Sequence, residues 1–138
     1  IRVQLEHALD DEQIEEIIAK IERANEDFYI GDWDYRIIKD TIIDDVLKDE
    51  LRNNGEPMLG WFKASFLSKY INVSEEVIKK TQKAEAWDII HELAKHHIDD
   101  IIPAYVESDG YGNHFSHYDG RTDEFKYNDV LYYLFRLN

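Results

Sequence analysis

Apolar residues recur at two periods along this chain, and the change of period divides it into a helical body and a β-rich end. Between about Asp10 and Glu26, Ile14, Ile17, Ile18 and Ile21 fall at helical spacing and form one stripe. Asp10 and Asp11 are suited to N-capping, and acids in the first turn suit the helix dipole. Glu12, Glu15, Glu16 and Glu22 fall largely off the stripe, so the pattern predicts an amphipathic helix with an anionic outer side. Before it, Val3 and Leu5 would share one face of a short strand from Arg2 to Leu5.

Phe28 to Asp34 reads as a turn rich in aromatics. A second helix is expected to follow, capped by Asp32 or Asp34, with Ile37, Ile38, Ile42, Val46 and Leu47 inside. Asp40, Asp44, Asp45, Asp49 and Glu50 would then lie mostly outside, diluted by Lys39 and Lys48. Asn53 to Pro57 is the clearest breaker in the chain. A third helix is predicted over Met58 to Tyr70, with Leu59, Trp61, Phe62, Phe66, Leu67 and Tyr70 wrapping widely enough to make it the most buried element. Ser74 opens a fourth helix as its cap, with Val77 where a capping box would carry Glu, while Glu75 and Glu76 charge the first turn. Val77, Trp87, Ile90, Ala94, Ile98 and Ile101 would carry its apolar side as far as Ile102, where Pro103 is expected to stop it.

Beyond this point the pattern changes. Ser108 to Asn113 is loop-forming, Asp119-Gly120 marks a turn, and Phe125–Tyr127 and Val130–Phe135 read as strands joined through Asn128-Asp129. The fold class predicted is α+β: about four helices followed by a small C-terminal antiparallel β-sheet. With no repeat, linker or low-complexity stretch, 138 residues are expected to make a single domain. The chain opens on Ile1 rather than Met, so residues ahead of it are expected to have been removed.

Charge sharpens the picture. The sequence holds 30 acidic and 16 basic residues, a formal net charge of −14. The excess is uneven: residues 1–56 carry 17 acids and 7 bases, residues 57–97 carry 5 and 6, and residues 98–138 carry 8 and 3. Roughly 2 to 8 net charges are enough for a small soluble domain. A larger charge costs stability through self-repulsion, which raises the prospect of a charged partner. The plainer alternative is an acidic protein that is merely soluble. Either way, this surface would be repelled by the phosphate backbone of nucleic acid and by anionic membranes. No apolar run reaches the roughly 20 residues of a membrane helix, and no signal peptide opens the chain, so a cytoplasmic location is expected. With no cysteine, thiolate zinc sites, disulfides and cysteine nucleophiles are excluded.

The candidate chemistry is sparse. His91, His96 and His97 superficially suggest a zinc-protease helix, but that motif needs histidines four apart, and a spacing of five turns the rings apart by roughly 140°. His114 and His117, with Asp109 and Asp119, offer a metal or acid/base loop only if the segment folds tightly; otherwise they hydrogen-bond to backbone or water. The pairs Asp44-Asp45 and Asp99-Asp100 diverge by about 100° on a helix and read as solvated faces. No nucleophile elbow, P-loop or dinucleotide fingerprint is present. The chain is therefore expected to be no enzyme and to need no cofactor.

The acidic helices are the more informative feature. Their carboxylates recur every three to five residues, about 5 to 7 Å along the axis, close to the density of charge along a DNA strand. Such a surface suits a groove built for nucleic acid and would steer a basic partner toward it. Tyr29, Trp33 and Tyr35, between the helices, would either anchor an interface or pack in the core and its rim.

The C-terminal quarter, Asp109-Gly110-Tyr111-Gly112 through His114-Phe115, Tyr118-Asp119-Gly120 and Tyr132-Tyr133 to Phe135-Arg136, resembles the ends of small acidic proteins carried by bacteriophages and plasmids. Within that type, antirestriction proteins act against host defence by mimicking DNA. The resemblance implies a non-enzymatic inhibitor that binds a basic host protein, such as a nucleic-acid-binding defence enzyme. It carries over no catalytic residue, and the helical part departs from the antirestriction pattern. The residues expected to bind the partner are Glu12, Glu15, Glu22, Asp40, Asp44, Asp45, Asp49 and Glu50. Two alternatives stand beside this one: an immunity protein or antitoxin against a basic toxin, and a small metal-dependent enzyme using His114 and His117. The hairpin edge offers a route to a homodimer that no residue decides.

Overall fold

The computed structural model describes residues 27–30, 33–53, 55–127 and 129–138. The strand expected from Arg2 to Leu5, the helix expected from Asp10 to Glu26, and with it Glu12, Glu15 and Glu22, lie outside the described residues. The fold is α+β, as predicted. In chain order the elements are β1 (Asp27–Ile30), β2 (Trp33–Lys39), α1 (Asp40–Asn53), a 3-10 turn (Met58–Trp61), α2 (Ala64–Leu67), α3 (Glu75–Lys83), α4 (Trp87–Lys95), α5 (Ile98–Asp109), α6 (Gly112–Phe115), β3 (Asp123–Tyr127) and β4 (Val130–Arg136). They divide into two compact units. One is built from the chain up to Asp44 together with Val106–Asn138, the other from Asp45–Tyr105.

The first unit is organised by a four-stranded antiparallel sheet in the order β1-β2-β4-β3. The C-terminal hairpin forms as its sequence predicts. Tyr127 pairs with Val130, and Asp129 takes a positive φ of 63°, the left-handed conformation that a two-residue turn favours. The sheet also recruits β1 and β2, which replace the expected aromatic turn and the expected start of the second helix. Ile37-Ile38 fits a helix stripe and a buried strand equally well. What decides it is a partner: Ile37 pairs with Leu134 and Ile38 with Tyr133, and Ile38, Leu134 and Phe135 are fully buried. Beyond the ladder, the Leu137 N–H donates to the Asp34 carbonyl at 2.8 Å. From α6, Phe115 packs on Phe135 in a tilted pair with ring centroids 5.0 Å apart, and the Arg36 guanidinium lies 5.2 Å from the Phe115 ring. Tyr35, which the sequence leaves open between an interface anchor and core packing, is a buried core residue.

In the second unit, Leu47, Leu51, Leu59, Leu67, Ile78, Ile90, Ala94, Ile98 and Ile101 are buried. The helix expected over Met58 to Tyr70 is instead a 3-10 turn and a single α-turn, separated where Lys63 adopts an extended ψ of 133°. Its side chains are correspondingly less buried than predicted. Phe62, Phe66 and Tyr70 are half-buried, and Trp61 is 50% exposed. The long fourth helix is three. Ser74 does cap it, its Oγ accepting from the Val77 N–H at 3.2 Å. Val77 itself is exposed, and Ile78 takes the core position. A single straight helix would turn Ile78 away from Ile90 by about 120° over twelve residues. A break after Lys83, with Glu85 at φ 60°, brings both inward. Pro103 lies inside α5 rather than ending it. The residue is exposed, and so is Asp99, whose carbonyl loses its partner to the proline, so water can serve that oxygen.

The 3-10 turn is held against two helices. Gln82 of α3 donates through Nε2 to the carbonyls of Gly60 and Phe62, at 3.0 and 2.8 Å. A Cβ on Gly60 would press into the Trp87 backbone carbonyl, so only glycine lets the turn approach α4 this closely. Gly60→Ala is therefore expected to destabilise the fold by about 1–3 kcal/mol, the usual cost of overpacking. Chemical denaturation followed by circular dichroism measures this, and an unchanged midpoint would show that the turn yields freely.

Candidate functional site

Of the eight acids expected to bind a partner, the five within the described residues all lie on α1. Asp40, Asp44, Asp45 and Asp49 are exposed and Glu50 is half-buried. The helix forms here because Ile43, Leu47 and Leu51 recur four apart and bury one stripe. Asp40 sits in the first turn and Arg52 in the last, both on the favourable end of the helix dipole. The acids do not share one flat face. Asp40 and Asp44 stand one turn apart on one ridge, and Asp45 and Asp49 on another about 140° around the axis.

The Asp40–Asp44 ridge has partners that sequence reasoning missed. The Tyr133 hydroxyl donates to Asp40 Oδ1 at 2.8 Å, and the Tyr111 hydroxyl donates to Asp44 Oδ1 at 2.6 Å. The two rings pack on each other with centroids 5.1 Å apart. Burial pushes both phenols well above their ordinary pKa, and the hydrogen bonds to Asp44 and Asp40 add to the rise. These partners are 67 and 93 residues from the acids they hold, so no local signal announces them.

The other acids are held differently. Asp49 accepts from Asn53 Nδ2 at 3.1 Å. Lys48 stands four residues after Asp44, where it would ordinarily neutralise it, but its ammonium pairs with Asp99. That hydrogen bond and charge hold the Asp99 carboxyl below the usual range.

The histidine candidates separate. His91 is buried, whereas His96 and His97 are exposed, as their spacing requires. His114 meets Phe115 edge-on at 4.7 Å, and His117 is exposed. Asp119 accepts from Ser116 Oγ at 2.9 Å and from the Arg121 N–H at 3.0 Å, which ties it to its own loop. Asp109 accepts from Ser108 Oγ at 2.8 Å. Among the described residues, no three His, Asp or Glu side chains gather as a set for a metal ion. No described helix is long and apolar enough to cross a membrane. No protein-family model, curated protein or solved structure matches the chain.

The tyrosine brace has a pH signature. Both phenols keep their protons longer in the folded state than in the unfolded chain, whose tyrosines ionise near about pH 10. Above that value the unfolded state holds fewer protons, so stability falls as pH rises. The contribution is complete below about pH 10 and drains away above it. In an alkaline titration followed by phenolate absorbance, Tyr111 and Tyr133 should ionise late, and Tyr111→Phe with Tyr133→Phe should diminish the late phase by two phenols. A late phase of undiminished amplitude in the double variant would assign it to other tyrosines.

Proposed function

We propose that this protein is a non-enzymatic inhibitor encoded by a phage or mobile element, acting in the bacterial cytoplasm. It binds a basic host protein, a nucleic-acid-binding defence enzyme, through acidic helices that stand in for DNA. The observation that carries this reading is the Asp40–Asp44 pair, whose carboxylates are exposed yet fixed by the Tyr133 and Tyr111 hydroxyls. A carboxylate already ordered before encounter loses less rotamer freedom when a partner engages it. Asp45 and Asp49 extend the charge around the same helix. The arrangement is thus closer to a charged rod than to a flat patch, and a rod is what a nucleic-acid groove accommodates.

Electrostatic steering makes such a complex sensitive to salt and to competing DNA. The test is retention of bacterial proteins on the immobilised chain, eluted by salt and then by added duplex DNA. Recovery of a nucleic-acid-binding protein that DNA displaces is the expected outcome. Against that partner, Asp45→Lys with Asp49→Lys should weaken binding by at least about tenfold, whereas Lys79→Glu with Lys80→Glu should leave it unchanged. Equal effects from the two pairs would remove α1 from the interface. A partner retained at high salt and indifferent to DNA would instead identify a dedicated immunity-type complex.

A further inference from the structure

A cleft of about 420 Å³ opens within the helical unit. It is lined by Arg52 from the last turn of α1, Glu56 from the loop that follows, and Asp88, His91, Glu92 and Lys95 from α4. The four α4 residues fall at i, i+3, i+4 and i+7, so one face of that helix forms a wall. The volume is in the range of small-molecule sites.

His91 gives the cleft its chemistry. The ring is only 6% exposed, and its Nδ1 accepts the Leu59 backbone N–H at 3.2 Å. That N–H belongs to the first turn of the 3-10 segment and would otherwise be an orphan donor in a buried place. Because Nδ1 accepts, the neutral ring carries its proton on Nε2, at the opposite edge. This Nε2–H makes no hydrogen bond to any described residue, while the ring lines the cleft. Among the described residues this nitrogen is not one of the buried unpartnered atoms, so the donor reaches solvent at the cleft, where an entering acceptor can take the bond that water otherwise takes.

The rest of the lining is of mixed sign. Arg52 and Lys95 are cationic, and Glu56, Asp88 and Glu92 are anionic, with Lys95 Nζ drawn to within 3.5 Å of Glu92. A plain anion would satisfy the His91 donor and the two cations but meet three carboxylates. A plain cation would leave the donor unused. A ligand with both signs uses the whole set.

We propose that this cleft binds a small zwitterion of α-amino-acid size. Its carboxylate accepts from His91 Nε2–H and faces Arg52, and its ammonium faces Glu56, Asp88 and Glu92. The site uses Arg52 at the end of α1 but none of the acids assigned to partner binding, and it stands or falls without the inhibitor reading.

The test is titration of the isotope-labelled full chain with a panel of α-amino acids, followed by amide and histidine-ring NMR shifts. Acetate and methylammonium serve as the two half-ligands. At least one amino acid should shift the His91 ring together with amides of Arg52, Glu56 and Asp88–Lys95. Each half-ligand should bind at least about tenfold more weakly than the intact zwitterion. Arg52→Gln should weaken acetate and the amino acid alike, and Glu92→Gln should weaken methylammonium and the amino acid. Both side chains are at the surface, so both variants should keep the wild-type amide spectrum elsewhere. Shifts absent up to the solubility limit of every amino acid, or scattered over the surface, would overturn the site. Acetate binding as tightly as the zwitterion would reduce it to an anion site and also overturn the proposal.

Discussion

The pairing of β2 with β4 is the constraint on which the sheet unit depends. It joins segments about a hundred residues apart, so the chain between them must be closed before the ladder contributes anything. The closure is sustained by burial: Ile38, Leu134 and Phe135 are removed from water along the same two strands. Register then has consequences beyond the sheet. Ile38 faces Tyr133 and Lys39 faces Tyr132, and the next residue, Asp40, begins α1. Tyr133 is therefore set down beside the first turn of that helix, where its hydroxyl meets Asp40. A slip of one residue would send Tyr133 to the other face of the sheet and Asp40 would lose its donor.

This is also why the sequence is legible in its parts and opaque at its site. The C-terminal hairpin, the Ser74 cap and the outward placement of Asp40, Asp44, Asp45 and Asp49 are local matters, settled by turn chemistry and helical period. Other features are not local. Ile37 and Ile38 became strand because β4 was there to pair with them, and no nearby residue says so. The long helix beyond Ser74 broke because Ile78 and Ile90 had to face one core, a demand that only the packed unit makes. Pro103 did not end its helix because it sits on the exposed side, where the missing N–H matters least. Tyr111 and Tyr133 belong to the same group. Their aromatic character was visible, but their use as donors depends on a distant helix.

His91 shows a related limit. Read by spacing, it was one of three histidines that failed to converge, and that reading holds. Its actual task is to satisfy the Leu59 N–H across 32 residues, and the unspent nitrogen follows from that task. A histidine that answers a backbone donor on one edge is committed to a tautomer, and so presents a donor on the other. The cleft's character therefore descends from a structural need of the turn.

The choice of tyrosine to hold Asp40 and Asp44 bears on what the acidic helix is suited to do. Two carboxylates one turn apart, about 6 Å along the axis, lie within a Debye length of each other at physiological salt and repel. A lysine or arginine beside them would relieve that repulsion by cancelling the charge. A tyrosine hydroxyl relieves it differently, by giving each carboxylate a fixed donor while leaving its charge intact. The cation best placed to cancel Asp44, Lys48, is engaged with Asp99 instead. Ordering and neutralisation are thereby separated: each carboxylate of the Asp40–Asp44 ridge is ordered by a neutral donor, which adds no positive charge to what the ridge presents.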